Sequence, residues 1–419
     1  MKLFRVLLVL FILSSATATQ SLRAGEWPQF LGPNRNGSVP SDEVIATWPK
    51  EGPKILWSKS IGQGFSSTAI SGKRLILFTR EGNSEVIRCL DTETAKELWS
   101  YSYPTAYSDD FGFDDGPRST PCISGDKVFN YGAEGILSCV DFSTGKKIWS
   151  VDAKKDFGAP KGFFGIGCSP LTDGDEVLIN IGGRDGSGVV AFEQATGKVK
   201  WKSSEDQASY SSPILATLDG KKAALFFTRK NLIALDPADG KSIFQFPWHP
   251  TMNASVSSAT PLVIGDSIFV SACYGAGAAW LQIKDSKPKV LWSGEDILSN
   301  HYATSVYKDG FIYGIHGRTD PGTSPEPSLR CVDVKTGKVQ WEETSLGAAS
   351  VSLAGDHLII VTEAGELADA AASPSGFKAS QRMQALPSHI RSYPAFAHGC
   401  LFIRSKDKLF CLETGKRTK

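Results

Sequence analysis

The sequence predicts an all-β fold, an eight-bladed β-propeller of four-stranded antiparallel blades. Three observations predict it. An eleven-residue phrase ending in an aromatic recurs along the chain, with 42 to 52 residues between successive aromatics. That interval suffices for four short strands and their turns. Eight hydroxyl-rich opening segments are each followed by a tight turn. The two ends of the chain carry complementary halves of the phrase.

The clearest copy of the phrase runs from Cys139 to Trp149. Others run from Cys89 to Trp99, Ala191 to Trp201, Ala234 to Phe244, Gln282 to Trp292 and Cys331 to Trp341. Its first residues have strand character. Asp-x-x-Thr-Gly then makes a turn, because Asp accepts nearby backbone N–H groups and Gly takes positive φ without steric cost. The last residues return as a second strand. A large indole recurring at one place is expected to bury against the next repeat.

The opening segments begin at Ser66, Ser119, Cys168, Ser211, Ala259, Thr304, Ala349 and Ser392. An apolar second strand follows each turn, such as Leu75 to Phe78 or Leu358 to Val361. In the seventh unit the phrase is degenerate: Ala370 to Ser380 keeps only Gly376 in register. Seven blades are the alternative if this unit is not a blade. Pro53 to Trp57 matches the last strand of a phrase, and Cys411 to Lys416 the first half. Together they complete one blade and close the ring without an open edge.

Met1 to Ala18 has the pattern of a secretory leader. Lys2 and Arg5 precede the apolar run Val6 to Leu13, and Ala16 and Ala18 give a small-x-small cleavage site. The domain division is therefore a leader over 1–18, an irregular Pro/Gly/Asn-rich lead-in over 19–52 and a propeller over 53–419. Trp27 and Phe30 are expected to pin the lead-in to the body. The run is too short to span a bilayer, and no Cys precedes Cys89 to take a lipid. An exported protein, periplasmic or secreted and not a lipoprotein, is expected, as a monomer with no transmembrane segment in the mature chain. With 45 basic and 44 acidic residues, nothing in the charge points to nucleic acid.

Four of the eight cysteines, Cys89, Cys139, Cys331 and Cys411, share a phrase position with Ala191 and Ala234. A slot that takes Cys or Ala is tight, buried and apolar, so these thiols are expected to be free. One pair among Cys122, Cys168, Cys273 and Cys400 stays open.

The phrase Ala-x-Asp-x-x-Thr-Gly-x-x-x-Trp resembles the tryptophan-docking motif of PQQ-like eight-bladed propellers, over about residues 53–419. The lead-in Trp27-Pro28-Gln29-Phe30-Leu31-Gly32-Pro33 is similar to that of exported members. The resemblance implies either a quinoprotein dehydrogenase or a non-catalytic propeller such as the outer-membrane assembly subunit. The latter is a lipoprotein, which this chain does not match. A quinoprotein would hold PQQ, a flat anionic quinone, by a stacking aromatic and basic or amide groups, with Ca²⁺ on carboxylate and amide oxygens. Adjacent cysteines often accompany it, and the chain has none.

Long connections precede the opening strands and fall in several second-to-third links, which places them on one face around the channel mouth. There Arg118, Trp248, His249, His301 and Arg391 are expected to converge, with His316 and Arg318 on the same face. Asp109, Asp110, Asp114 and Asp115 offer oxygen ligands for Ca²⁺, but their spacing fits no calcium loop, and a solvated acidic loop is the plainer reading. The chain carries no nucleophile elbow, phosphate loop or His-Glu-x-x-His motif. The expected function is non-catalytic binding of a protein or polysaccharide partner on the long-loop face. The alternative is a PQQ-dependent oxidoreductase acting on alcohols or sugars.

Overall fold

The structure, a computed structural model, describes residues 25–41, 43, 48–252, 255–319 and 326–415. The leader-like residues 1–18 lie outside them. Eight antiparallel sheets, each built on four strands, make the ring. In the first blade these are Ala69–Ser71, Arg74–Glu81, Ser84–Asp91 and Glu97–Pro104. First strands are short, touch those of neighbouring blades and line the channel. Second and third strands are covered on both faces, which is why they read as continuous apolar runs. The fourth alternates buried and exposed because it is the solvent edge.

Ile55–Ser60 pairs with Lys408–Glu413, with Trp57 opposite Cys411, so the eighth blade joins the two ends. The seventh blade is complete: Ala349–Ala354, His357–Thr362, Glu366–Ala371 and Ala379–Gln384. The seven-bladed alternative is therefore wrong. Its phrase also starts a residue earlier than the sequence suggests. Asp369 faces Gln381 as Cys411 faces Trp57, so a glutamine holds the docking position. In the fifth blade Trp280, not Gln282, faces Trp292. The extra length there forms a hairpin whose turn residues, Asp285 and Ser286, have φ of 50° and 57°.

Two sets of staples join the blades. On the outside, each docking indole donates Nε1–H to a backbone carbonyl in the next blade's turn. Trp57 reaches Thr92 at 2.9 Å, Trp99 Phe142 at 3.0 Å, Trp149 Gln194 at 2.9 Å and Trp292 Val334 at 2.7 Å. Gly145 shows why the turn needs glycine. Its φ is 72°, and a Cβ there would strike the Trp99 ring. Asp141 braces the same turn, accepting from Ser143 N, Thr144 N and Thr144 Oγ1. On the inside, an N–H of one opening segment donates to the hydroxyl of the next. Tyr393 bonds Ser67 at 2.9 Å, Ser67 bonds Thr120 at 3.2 Å, Thr120 bonds Ser169 at 2.9 Å and Ser169 bonds Ser212 at 3.0 Å.

The indole ring is interrupted twice. Phe244 replaces it between the fourth and fifth blades. Between the seventh and eighth, Trp48 of the lead-in is buried in the core that contains Val361, Leu367, Phe402 and Cys411. Its backbone N and O both bond the Gln381 amide. The lead-in thus packs an indole at this joint, although its Nε1–H has no acceptor among the described residues.

All eight cysteines are buried and none is in a disulfide, so the pair left open among Cys122, Cys168, Cys273 and Cys400 is not formed. Among the described residues the one helix is Ala153–Phe157. None is long and apolar enough to cross a membrane.

Candidate binding site at the channel mouth

The two channel ends are made differently. Glu26–Trp27 adds a fifth strand inside the first blade, and Trp27 packs edge-on to Phe396 at 5.4 Å. The chain then crosses the channel. Pro28 O accepts from Ile123 N at 2.8 Å in the second blade, and Ser38 bridges Leu353 in the seventh. Between them Arg35 lies buried with its guanidinium on the carbonyls of Pro170 and Pro213 and on Gln29 Oε1. Burial lowers its pKa to about 10. Carbonyls alone satisfy this cation, and the segment closes this end.

The opposite end is a blind cavity of about 180 Å³ floored by Phe30 and Tyr393, whose rings meet edge-on at 5.4 Å. One position of each blade makes its wall, the residue two before the stapling hydroxyl position. In chain order it holds Phe65, Arg118, Gly167, Tyr210, Ser258, Tyr302, Ala348 and Arg391. Seven line this cavity, and Ala348 lines an adjoining one of about 470 Å³.

Arg118 is held by Asp109 Oδ2 at 3.0 Å and the carbonyls of Asp114 and Gly116. Arg391 is held through Nε by Glu363 at 2.7 Å. The same carboxylate accepts from Tyr302 Oη at 2.8 Å. Burial first, then the Glu363 charge, pushes the Tyr302 phenol well above its ordinary pKa. The Arg391 guanidinium lies 5.1 Å from the Phe113 ring centre and 5.7 Å from that of Phe65. Arg118 lies 5.6 Å from Phe65, so both cations flank one ring.

Of the expected residues, Arg118, His301 and Arg391 come together. His301 bonds Tyr274 Oη at 2.7 Å and Thr319 Oγ1 at 2.9 Å. Arg318 stacks on Tyr274 at 4.5 Å and supports the wall. Trp248 stays with the outer strand, stacked on Phe246 at 5.9 Å. His249 turns back to Pro250 O at 2.9 Å. His316 is buried and accepts from Ser299 N at 3.0 Å. Burial lowers its pKa to about 4.

The four aspartates fold their own loop. Asp109 accepts from the backbone N of Phe111, Phe113 and Asp114, Asp114 from Gly116, and Asp115 from Asp109. Asp110 pairs with Lys161 at 2.7 Å. Among the described residues no three His, Cys, Asp or Glu side chains gather as metal ligands. Sequence reasoning missed the rings. Phe111, Phe113, Phe163 and Phe164 cluster at the rim, with Phe111–Phe164 centres 4.9 Å apart. Phe111 is about half exposed.

Residues 83–343, more than half of the chain, match the family model described as outer membrane protein assembly factor BamB. The chain belongs to this family of PQQ-like propellers. A search among curated proteins found no match. Among solved structures, BamB from Moraxella catarrhalis is similar at 14% identity, with a TM-score of 0.61 over 86% of this chain and 97% of that one. Quinohemoprotein alcohol dehydrogenase from Comamonas testosteroni is similar at 12% identity, with a TM-score of 0.68 over 94% of this chain and 81% of that one. The computationally designed Ika8 protein is similar at 11%, with a TM-score of 0.57 over 86% and 100%. At such identities the likeness concerns the propeller alone.

Among the described residues the lining does not fit a PQQ–calcium pair: rings and arginines suit a flat anion, but no carboxylate or amide side chain of theirs lines the cavity to hold Ca²⁺.

Proposed function

We propose that this propeller is exported and binds a protein or polymer partner at its mouth without catalysis. Export rests on the leader-like residues 1–18, and no partner is assigned by the comparisons. One observation carries the reading. The mouth gathers aromatic rings and two arginines. Aromatics and arginine are the side chains that anchor binding surfaces. The family description, an assembly factor at the outer membrane, is a precedent for partner binding.

A photo-crosslinking residue at Phe111, on the mouth rim, tests this against one at Lys146, on a turn of the closed face. In the exporting host, adducts are expected from the mouth position. Equal adducts from both faces would contradict it. The oxidoreductase reading keeps one support, the stacked rings beside cations. Incubating the protein with PQQ and Ca²⁺ and following dye reduction with alcohols separates the two, since appreciable turnover would overturn the binding reading.

A further inference from the structure

The geometry points to a specific occupant of the mouth: the carboxyl-terminal residue of an extended polypeptide, its apolar side chain in the blind cavity and its terminal carboxylate on Arg391. This rests on the binding reading above.

Four features argue for it. First, the cavity is a dead end, because Phe30 and Tyr393 floor it. A chain cannot run through, so only an end or a side group enters. At about 180 Å³ it is below the ~300–1,000 Å³ of ordinary small-molecule sites.

Second, the two cations are each paired with one carboxylate but are held differently. Arg118 is fully engaged by Asp109 and carbonyls, but Glu363 engages only Nε of Arg391. The terminal nitrogens of Arg391 have no acceptor among the described residues. Stacking against Phe65, Phe113 and Tyr302 keeps the guanidinium planar and partly dry, which strengthens a bidentate pair with a carboxylate.

Third, a C-terminal residue carries a side chain and an anion on one α-carbon. An internal Asp or Glu brings the anion without the apolar body. An acidic sugar brings many hydroxyls, and the rings of Phe30, Phe65, Phe113 and Phe164 among the lining residues offer them no hydrogen bonds.

Fourth, the cavity has an exit for the preceding residues. It shares Phe65, Phe113 and Arg391 with the adjoining cavity of about 470 Å³. That cavity shares Ser388, His389 and Lys406 with a third, of about 950 Å³, between the eighth and first blades. Together they form a track from the channel axis outward. Capture of a terminal carboxylate with pockets for neighbouring side chains is a known mode of peptide recognition.

Calorimetric titration of the full chain tests this with the pentapeptide Gly-Ser-Gly-Ser-Phe as free acid, the same peptide as C-terminal amide, and an oligogalacturonate. The free acid is expected to bind at least tenfold more tightly than the amide. Arg391→Gln should remove that preference, lowering affinity for the acid at least tenfold while leaving the amide unchanged and the melting temperature near wild type. Equal affinity for acid and amide, binding of neither, or tighter binding of the oligogalacturonate would overturn the inference. Mouth-specific crosslinks obtained despite such a result would leave the binding reading standing. Their loss as well would remove both.

Discussion

The two ends of the central channel are made from the same eight opening segments, yet one is filled by chain and the other is open. At the closed end a buried guanidinium rests on carbonyls of the third and fourth blades. At the mouth a second guanidinium rests on three rings and one carboxylate. The repeated residues build a ring that is indifferent to its ends. The residues outside the repeat, the lead-in and the connections before each blade, make the ends unequal. The candidate site therefore lies where the repetition stops.

Five substitutions sharpen or break this contrast, because closed-end changes should cost stability and mouth changes should cost little. The largest effect is expected at the indoles. Trp149→Ala and Trp48→Ala should each destabilise by about 3–5 kcal/mol, the cost of truncating a buried aromatic. A neutral Trp48→Ala in chemical denaturation would refute the lead-in's part in the seventh–eighth joint. Arg35→Ala leaves carbonyls of Pro170 and Pro213 without a donor and should cost about 2–4 kcal/mol. Next comes an acid effect at the mouth face, where His316 holds the connection at Ser299. Its folded pKa is about 4, below the ~6.5 of an unfolded histidine. The unfolded chain takes up the proton first as pH falls, so this stabilisation is present above about pH 6.5 and drains away toward pH 4. The loss is at most about 3 kcal/mol, and His316→Gln should flatten that part of the stability–pH curve. A slope unchanged by the substitution would show that the titration lies elsewhere. Smallest of all, Arg391→Gln should shift stability by no more than about 1 kcal/mol, because its ion pair is partly exposed.

Much of the ring could be read from the sequence because its signals are local. Turn chemistry, the closing indole and the Cys/Ala slot each sit within one phrase, and the register of Trp57 with Cys411 follows from two half-phrases. The seventh and fifth blades were misframed because a hairpin of different length moves every later residue out of register. Gln381 and Trp280 hold positions that local alignment assigns to others. The mouth was legible in part. Arg118 and Arg391 stand immediately before opening segments, as do Phe65 and Tyr210, and Tyr302 stands two residues before one. Aligning that one position across blades would have drawn the cavity wall. Trp248 and His249 fell away because they sit farther upstream, still attached to an outer strand. No pattern in the sequence revealed Arg35 or Trp48, whose partners in the blades lie between 135 and 333 residues away.

The asymmetry of the two ends can be measured with thiols. Cys122 lies under Gln29 of the lead-in, and burial raises its pKa, which further protects it. Ser258 stands in the mouth wall. In native Ser258→Cys protein, brief maleimide exposure followed by peptide mass mapping should label position 258 and leave Cys122 unmodified. Labelling of Cys122 as fast as position 258, or protection of position 258, would contradict a channel closed at one end and open at the other.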